Sequence, residues 1–351
     1  MNARRIRLCF PGMGDDRLFD EHARDNCQEP FLLLRERLRA LGYELDCMTG
    51  DDLSGVDWLW FWDVTEAARP PSRWRRVAAR ACGTRPAAPS RSPLLRRARQ
   101  GHLRDRLVLF LGEPPVVAPD SWDRRLHRDF RVVFTWHDPL VDGRRYVKYR
   151  YPLPATFPAA AERPFSQRKL LTAIAGNKRS GEPGELYSAR EAAIRFFERA
   201  APDEFDLFGA GWERGDAAGC PFPSYRGGVA HKRDVLPGYR FALCYENQSL
   251  EGYVTEKVFD CMRCGVVPVY LGDPGIAATV GPDCFVDRRE FADDEQLLAC
   301  LRTMPEDEFR HRRAAIERYL AGPAFAAHLS PAFADTVVRA LALGGGRGTT
   351  A

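Results

Sequence analysis

FALCYENQSLEGYVTEKVFDCMRCGVVPVYLGDP, residues 241–274, changes character at each of its joints. Phe241–Tyr245 reads as a buried strand, and Glu246 and Asn247 open a polar turn. A helix runs from Thr255 to Cys264, where Gly265 stops it, and Val266–Leu271 is a second buried strand. Thr255 suits an N-cap and Glu256 suits the positive end of the helix dipole. Lys257 does not: a cation in the first turn opposes the dipole unless an anion sits there. The strand–turn–helix is therefore a candidate phosphate site.

Strand alternating with helix continues in both directions. C-terminal to residue 165, strands are expected at Lys169–Ile174, Phe205–Phe208 and Cys284–Val286. A helix is expected over Ser188–Arg199, with Ala192, Phe196 and Arg199 at helical spacing, and another from about Glu295. A Gly/Pro-rich loop fills Gly209–Gly228. Towards the N-terminus, Ile6–Phe10, Trp58–Trp62, Leu107–Leu111 and Arg131–Thr135 are strand-like. Phe31, Leu34, Leu38 and Leu41 share a helix face that ends at Gly42. YPLPATFPAAAERP (151–164) reads as a linker. The expectation is two α/β domains with open parallel sheets, over 1–155 and 160–330, with a C-terminal helix and disordered tail at 331–351.

The whole chain, 351 residues with 45% hydrophobic and 28% charged, suits two cores. No apolar run approaches the roughly 18 residues of a membrane helix. The N-terminus does not read as a secretory signal, and ten scattered cysteines do not read as a disulfide scaffold. A reducing, cytoplasmic setting is expected. The net charge of +4 is unevenly spread: Arg69 to Arg106 holds twelve arginines and one acid, Asp105. One reading of 69–106 is a solvated insertion. The other is a peripheral contact with an anionic membrane or acidic glycan, with Trp74, Val77, Ala78 and Ala81 at helical spacing on a basic amphipathic helix. No nucleic-acid module accompanies the charge.

Two further motifs carry less. GAGWERG (209–215) resembles a dinucleotide fingerprint, but the DAAGCPFPSYRGG after it cannot form the helix that would hold a pyrophosphate. Cys261-x-x-Cys264 lies within a helical pattern without a second ligand pair, so core packing is expected.

The 241–274 segment resembles the signature of the GDP-fucose-dependent α-1,3/4-fucosyltransferases, inverting enzymes with two Rossmann-like domains facing across a cleft (the GT-B type). The resemblance rests on Tyr245-Glu246-Asn247, on Tyr253-Val254-Thr255-Glu256-Lys257 and on Val267-Pro268-Val269-Tyr270-Leu271-Gly272. NKRSGEPGELYSAREAAIRFFE (177–198), followed by DLFGAGW, is similar to another family segment. VLFLGEPPVVAP (108–119) is more loosely similar to the family's strand that carries the base, which falls on Glu113.

The resemblance implies transfer of L-fucose from GDP-β-L-fucose, with inversion, to a hydroxyl of an N-acetylglucosamine-containing oligosaccharide or glycolipid. It implies Glu113 as base and Glu256 in the catalytic set, accepting from ribose or fucose hydroxyls. Arg190 and Lys257 clamp the diphosphate, with Asn247, Tyr253, Tyr187 and Lys178 around the donor. The two cations stand in place of a metal ion, so no metal or other cofactor is expected. Lys257→Ala is expected to abolish transfer and leave the fold intact. Two readings remain beside this one: a transferase of the same fold using another GDP-sugar, and an inactive nucleotide- or glycan-binding protein.

Overall fold

Apolar runs without alternation, WLWFW at 58–62 and LVLFL at 107–111, need cover on both faces. The computed structural model, which describes residues 3–64 and 93–344, places both runs in one six-stranded sheet. Its strands are β1 (Arg4–Cys9), β2 (Tyr43–Cys47), β3 (Trp58–Trp62), β4 (Leu107–Leu111), β5 (Val132–Thr135) and β6 (Tyr146–Lys148). Every pairing is parallel, in the order β2-β1-β3-β4-β5-β6. Alternate residues serve opposite faces. Trp60, Trp62, Val108 and Phe110 join Phe31, Leu34 and Leu38 of α1 (Glu29–Ala40). Leu59, Phe61, Leu107 and Leu109 join Leu95 and Ala98 of α2 (Pro93–Gln100) on the other face.

The second sheet is built from β7 (Lys169–Ile174), β8 (Phe205–Phe208), β9 (Tyr239–Tyr245), β10 (Val267–Leu271) and β11 (Val286–Asp287). It is also wholly parallel, in the order β11-β10-β9-β7-β8. The helices α3 (Tyr187–Ala200), α4 (Glu256–Arg263), α5 (Asp294–Thr303) and α6 (Glu306–Leu320) contribute buried side chains to its core. The buried face of α3 is Arg190, Ala193, Ile194 and Phe197, not the Ala192, Phe196 and Arg199 face expected from the spacing. Cys261 and Cys264 are core residues, as expected.

The domain boundaries need one correction. Helix α7 (Ser330–Gly344) is not a separate module. It returns to the first domain, where Phe333, Ala334, Val337 and Ala340 complete the core beneath α1. The Phe333 ring sits 6.1 Å from Phe31 and 6.2 Å from Phe110. The stretch from 151 is likewise more than a linker, because Pro152, Leu153 and Pro154 are buried. Leu153 exchanges backbone hydrogen bonds with the start of α7: Leu153 N–H donates to His328 O at 2.9 Å, and Ser330 N–H to Leu153 O at 2.8 Å. The 345–351 tail lies outside the described residues. Phe333→Ala is expected to cost about 3–5 kcal/mol in denaturant unfolding, as for other core Phe truncations. A loss below about 1 kcal/mol would show that α7 does not share the core.

The proposed amphipathic helix at Trp74–Ala81 also lies outside the described residues. The described part of the Arg-rich segment is tied to the fold by ion pairs: Arg97 to Asp51 at 2.6 Å, Arg99 to Asp129 at 3.0 Å and Arg106 to Asp57 at 3.5 Å. Among the described residues, no helix is long and apolar enough to cross a membrane.

Both sheets change direction in the same manner. The chain steps from β1 outward to β2, then resumes at β3 on the other side of β1. It steps from β7 outward to β8, then resumes at β9 on the other side of β7. Open parallel sheets seat ligands beyond the carboxyl ends of strands at such switch points.

Candidate active site

Both switch points open onto cavities. Beyond β1, β3 and β4 lies a cavity of about 450 Å³ with Phe10, Trp62, Asp63 and Glu113 in its wall. Beyond β7 and β9 lies one of about 430 Å³, walled by Ile174, Ala175, Gly176 and Asn247. Glu113, Glu256, Lys232, Tyr151 and Arg24 line both cavities and so form the seam between them.

Electrostatics separates the two. The second-domain cavity holds Arg24, Lys178, Arg190, Lys232 and Lys257 against the carboxylates of Glu113 and Glu256. That excess of cations suits a diphosphate. The first-domain cavity holds Asp25, Glu113, Glu256 and Asp260 against Arg24 and Lys232, with the rings of Phe10, Phe31, Trp62 and Tyr151. Carboxylates that accept from hydroxyls, beside aromatic faces, suit a neutral sugar.

Glu246 organises the cation-rich wall. It is fully buried, and its carboxylate accepts from Thr255 N–H at 2.9 Å and from Thr255 Oγ1. It also pairs with Lys257 Nζ at 3.0 Å. Thr255 holds the N-cap position with an extended backbone, yet its side chain caps nothing and turns to Glu246 instead. The anion that offsets Lys257 in the first turn is thus internal. Lys257 keeps one face on the cavity, and a ligand phosphate would share it with Glu246. Burial works against the Lys257 ammonium, but Glu246 and Glu256 outweigh it and hold its pKa above the ordinary value. Burial also works against ionisation of Glu256, but Lys257 and Lys232 overcome it and bring its pKa down to about 2. Glu256 is therefore a carboxylate at neutral pH, suited to accept from sugar hydroxyls.

Arg190 reaches the same wall from α3. Its Nη2 donates to the carbonyls of Tyr245, at 2.5 Å, and Glu246, at 2.9 Å, which fixes the guanidinium at the end of β9. Lys178 also lines this cavity. Tyr187 does not. It is buried, with its ring 5.5 Å from the Arg190 guanidinium, and is corrected from a donor contact to a support for Arg190.

The loop after Asn247 carries the second domain into the first. Gly252 has φ +81°, and a Cβ there would lie 2.2 Å from the Trp136 carbonyl oxygen, so no side chain fits. Tyr253 is buried in the first domain's core with its ring 4.7 Å from Trp136. Its hydroxyl donates to Glu113 Oε2 at 3.3 Å and accepts from Asn247 Nδ2 at 3.3 Å. Asn247 is thus positioned through Tyr253, and Tyr253 is aimed at the candidate base. Burial pushes the Glu113 carboxyl up. Lys257, Lys178 and the Tyr253 hydrogen bond oppose that rise, while Glu256 adds to it. A carboxyl raised by burial is a stronger base when ionised.

Sequence reasoning missed Lys232, Asp260 and Asp63. Lys232 Nζ pairs with Asp260 at 2.6 Å beneath the seam. Nothing in HKRD (231–234) distinguishes it from a surface cation. Asp63 had a signal: it is the acid that ends an apolar strand run. GAGWERG is confirmed as a turn. Gly209, at φ +125°, lies where a Cβ would meet the Ala175 carbonyl oxygen at 1.9 Å, and only a 3-10 turn follows at Trp212–Arg214. Among the described residues, no three His, Cys, Asp or Glu side chains group as a metal site.

Two wholly parallel α/β domains with a ligand site between their facing switch points define the GT-B glycosyltransferase fold. Solved structures share it. A crystal structure of an α1,3-fucosyltransferase with GDP superposes with TM-score 0.55 at 15% identity, over 97% of this chain and 90% of that one. The α,α-trehalose 6-phosphate synthase from Burkholderia multivorans gives 0.52 at 12% identity, over 98% and 99%. Residues 201–314 match the family model described as glycosyltransferase family 10 (fucosyltransferase) C-term. Among curated relatives, α-(1,3)-fucosyltransferase 7 of Mus musculus is 27% identical over 72% of this chain and 63% of its own length. The α-(1,3)-fucosyltransferase FucT of Helicobacter pylori is 30% identical over 27% of this chain and 19% of its own. GDP-fucose protein O-fucosyltransferase 3 of Bos taurus is 35% identical over 25% and 18%. The chain thus spans less than two thirds of each of these relatives.

Proposed function

We propose that the protein transfers L-fucose from GDP-β-L-fucose, with inversion, to a hydroxyl of a neutral N-acetylglucosamine-containing glycan. The observation that carries this reading is Glu113. It stands at the seam between a cation-rich cavity and a cavity lined by carboxylates and rings. The diphosphate sits against Lys257, Arg190 and Lys178, and the fucose lies towards the seam, where Glu256 accepts from its hydroxyls. The acceptor enters from the first-domain cavity. Glu113 takes the proton of its hydroxyl as that oxygen attacks the anomeric carbon. The bond to the diphosphate breaks on the far side, and the lysines and arginine receive the growing charge. General base catalysis of this kind contributes about 10²–10⁴-fold. The family-model match over 201–314, and relatives named for α-(1,3) transfer, support the donor and an α-1,3 linkage. No metal is required, since fixed cations take its place at the phosphates.

The test is thermal stabilisation by GDP, GDP-fucose, GDP-mannose and UDP-galactose, each with and without EDTA, followed by product analysis. Ligand at 100 times its dissociation constant adds about 2.7 kcal/mol to stability. Stabilisation by GDP and GDP-fucose, indifferent to EDTA, is expected. A response to the uridine sugar alone would overturn the donor. Guanosine binding without turnover on any neutral glycan would replace the enzyme with a binding protein.

A further inference from the structure

Asp63 plays no part in the chemistry above, yet its surroundings are unusual for an acid. It is the first residue after β3 and takes a left-handed backbone, φ +58°, which few residues other than glycine, asparagine and aspartate adopt. Only 4% of it is exposed. Its two carboxyl oxygens point along the sheet to the first two residues after β4. Oδ1 accepts the Gly112 N–H at 3.1 Å, and Oδ2 accepts the Glu113 N–H at 2.9 Å. Two indoles hold the same backbone from the carbonyl side. Trp136 Nε1 donates to Gly112 O at 3.1 Å, and Trp122 Nε1 to Glu113 O at 2.9 Å. Every backbone polar group of Gly112 and Glu113 is therefore fixed by a side chain from elsewhere in the first domain.

We propose that Asp63 is a positioning residue for transfer: its buried carboxyl group holds the backbone of Glu113 so that the Glu113 carboxylate stands at the seam between donor and acceptor cavities. The inference rests on the reading of Glu113 as the acceptor base. The chemistry of the site explains why an acid is used. Both contacts are N–H donors, so both side-chain atoms must be acceptors. An amide would turn an NH₂ against one of them. Without the hold, Glu113 keeps its charge and its Tyr253 partner but loses its fixed distance from the reacting oxygen. A shift of about 1 Å in such a group can lower turnover about 100-fold. The cations placed on the diphosphate, Lys178, Arg190 and Lys257, all belong to the other domain, so donor binding is not expected to depend on Asp63.

The experiment uses Asp63→Asn and Asp63→Gly in the full chain. Both replacements tolerate the left-handed backbone. Asparagine keeps the volume and exchanges one acceptor for a donor, and glycine removes both acceptors. Rates are normalised to the fraction of molecules that bind GDP. The expected result is a fall in kcat of at least about 10-fold in both variants, with the KM for the donor within about two-fold of wild type. Asp63→Asn added to Glu113→Gln should change the residual rate less than about two-fold, because a residue acting through Glu113 has nothing left to position. Wild-type kcat in both single variants would overturn the proposal. So would a rise in donor KM with kcat unchanged, or full additivity with Glu113→Gln. Loss of GDP-dependent stabilisation in both single variants would assign Asp63 to the fold and overturn it too. Failure of the underlying reading looks different, since Glu113→Gln alone would then retain wild-type turnover.

Discussion

Replacing Lys257 by alanine should lower transfer about 10²–10³-fold, the usual cost of losing one donor aimed at developing charge. It should also lower stability, against the expectation from the sequence that the fold stays intact. Lys257 is the partner of Glu246, a carboxylate with no exposed surface. Removing one member of a buried pair leaves the other charge uncompensated, at a cost of about 3–5 kcal/mol. Thr255 still donates twice to Glu246, and Lys257 is partly exposed, so the lower end of that range is expected. The two roles can be separated. Glu246→Gln combined with Lys257→Met leaves no orphaned charge at Glu246, and Glu256 keeps Lys232 as a counter-charge, so denaturant unfolding should recover most of the lost stability. Transfer should stay low, because the diphosphate still lacks its cation. A Lys257→Ala variant with wild-type kcat/KM would remove this lysine from the diphosphate site. Recovery of transfer in the double variant would show that Lys257 serves only to neutralise Glu246.

The strand–turn–helix–strand of 241–274 was legible because each transition carries its own chemistry: apolar run, polar turn, helix start, glycine stop. The resemblance also led to Glu113 and Glu256, two of the five residues that meet at the seam. What the sequence hid is mostly a matter of partners distant along the chain. Lys257 was read as needing an external anion, since nothing local shows that Glu246 turns back towards it. Strand β2 was missed because YELDC, at the sheet edge, carries two acids and no continuous apolar run. The α3 face was misread because its inward side includes Arg190, and a buried arginine breaks the apolar periodicity on which the reading relied. The return of α7 to the first domain follows from contacts with α1 some 300 residues earlier, such as Ser330 Oγ donating to Glu29 Oε1 at 2.5 Å. Short-range pattern contains no trace of that pairing. Asp63 and Lys232 belong to the same class, since each earns its place through a partner on another element.

Glu113→Gln is the second large effect. Transfer should fall about 10²–10⁴-fold while GDP and the donor still bind, because an amide cannot accept the proton and the cation-rich wall is untouched. The pH dependence of the wild type carries the same signature. Burial raises the Glu113 pKa above its ordinary 4.5. Its basic form is lost as pH falls through that raised value, so the acid limb of kcat/KM should lie above 4.5. The same shift bears on stability. In the unfolded chain the carboxyl ionises at its ordinary pKa, and in the fold it holds its proton to higher pH. Relative to the unfolded state, its contribution is most favourable below the ordinary value and is lost as pH rises through the folded one. Glutamine has no proton to release, so Glu113→Gln should be at least as stable as the wild type at pH 7. If Glu113 is the base, the site keeps it at some cost to the fold, the pattern expected of a functional carboxylate rather than a structural one. An acid limb at or below the ordinary carboxylate range, or a Glu113→Gln variant that is both active and less stable, would return Glu113 to a structural role.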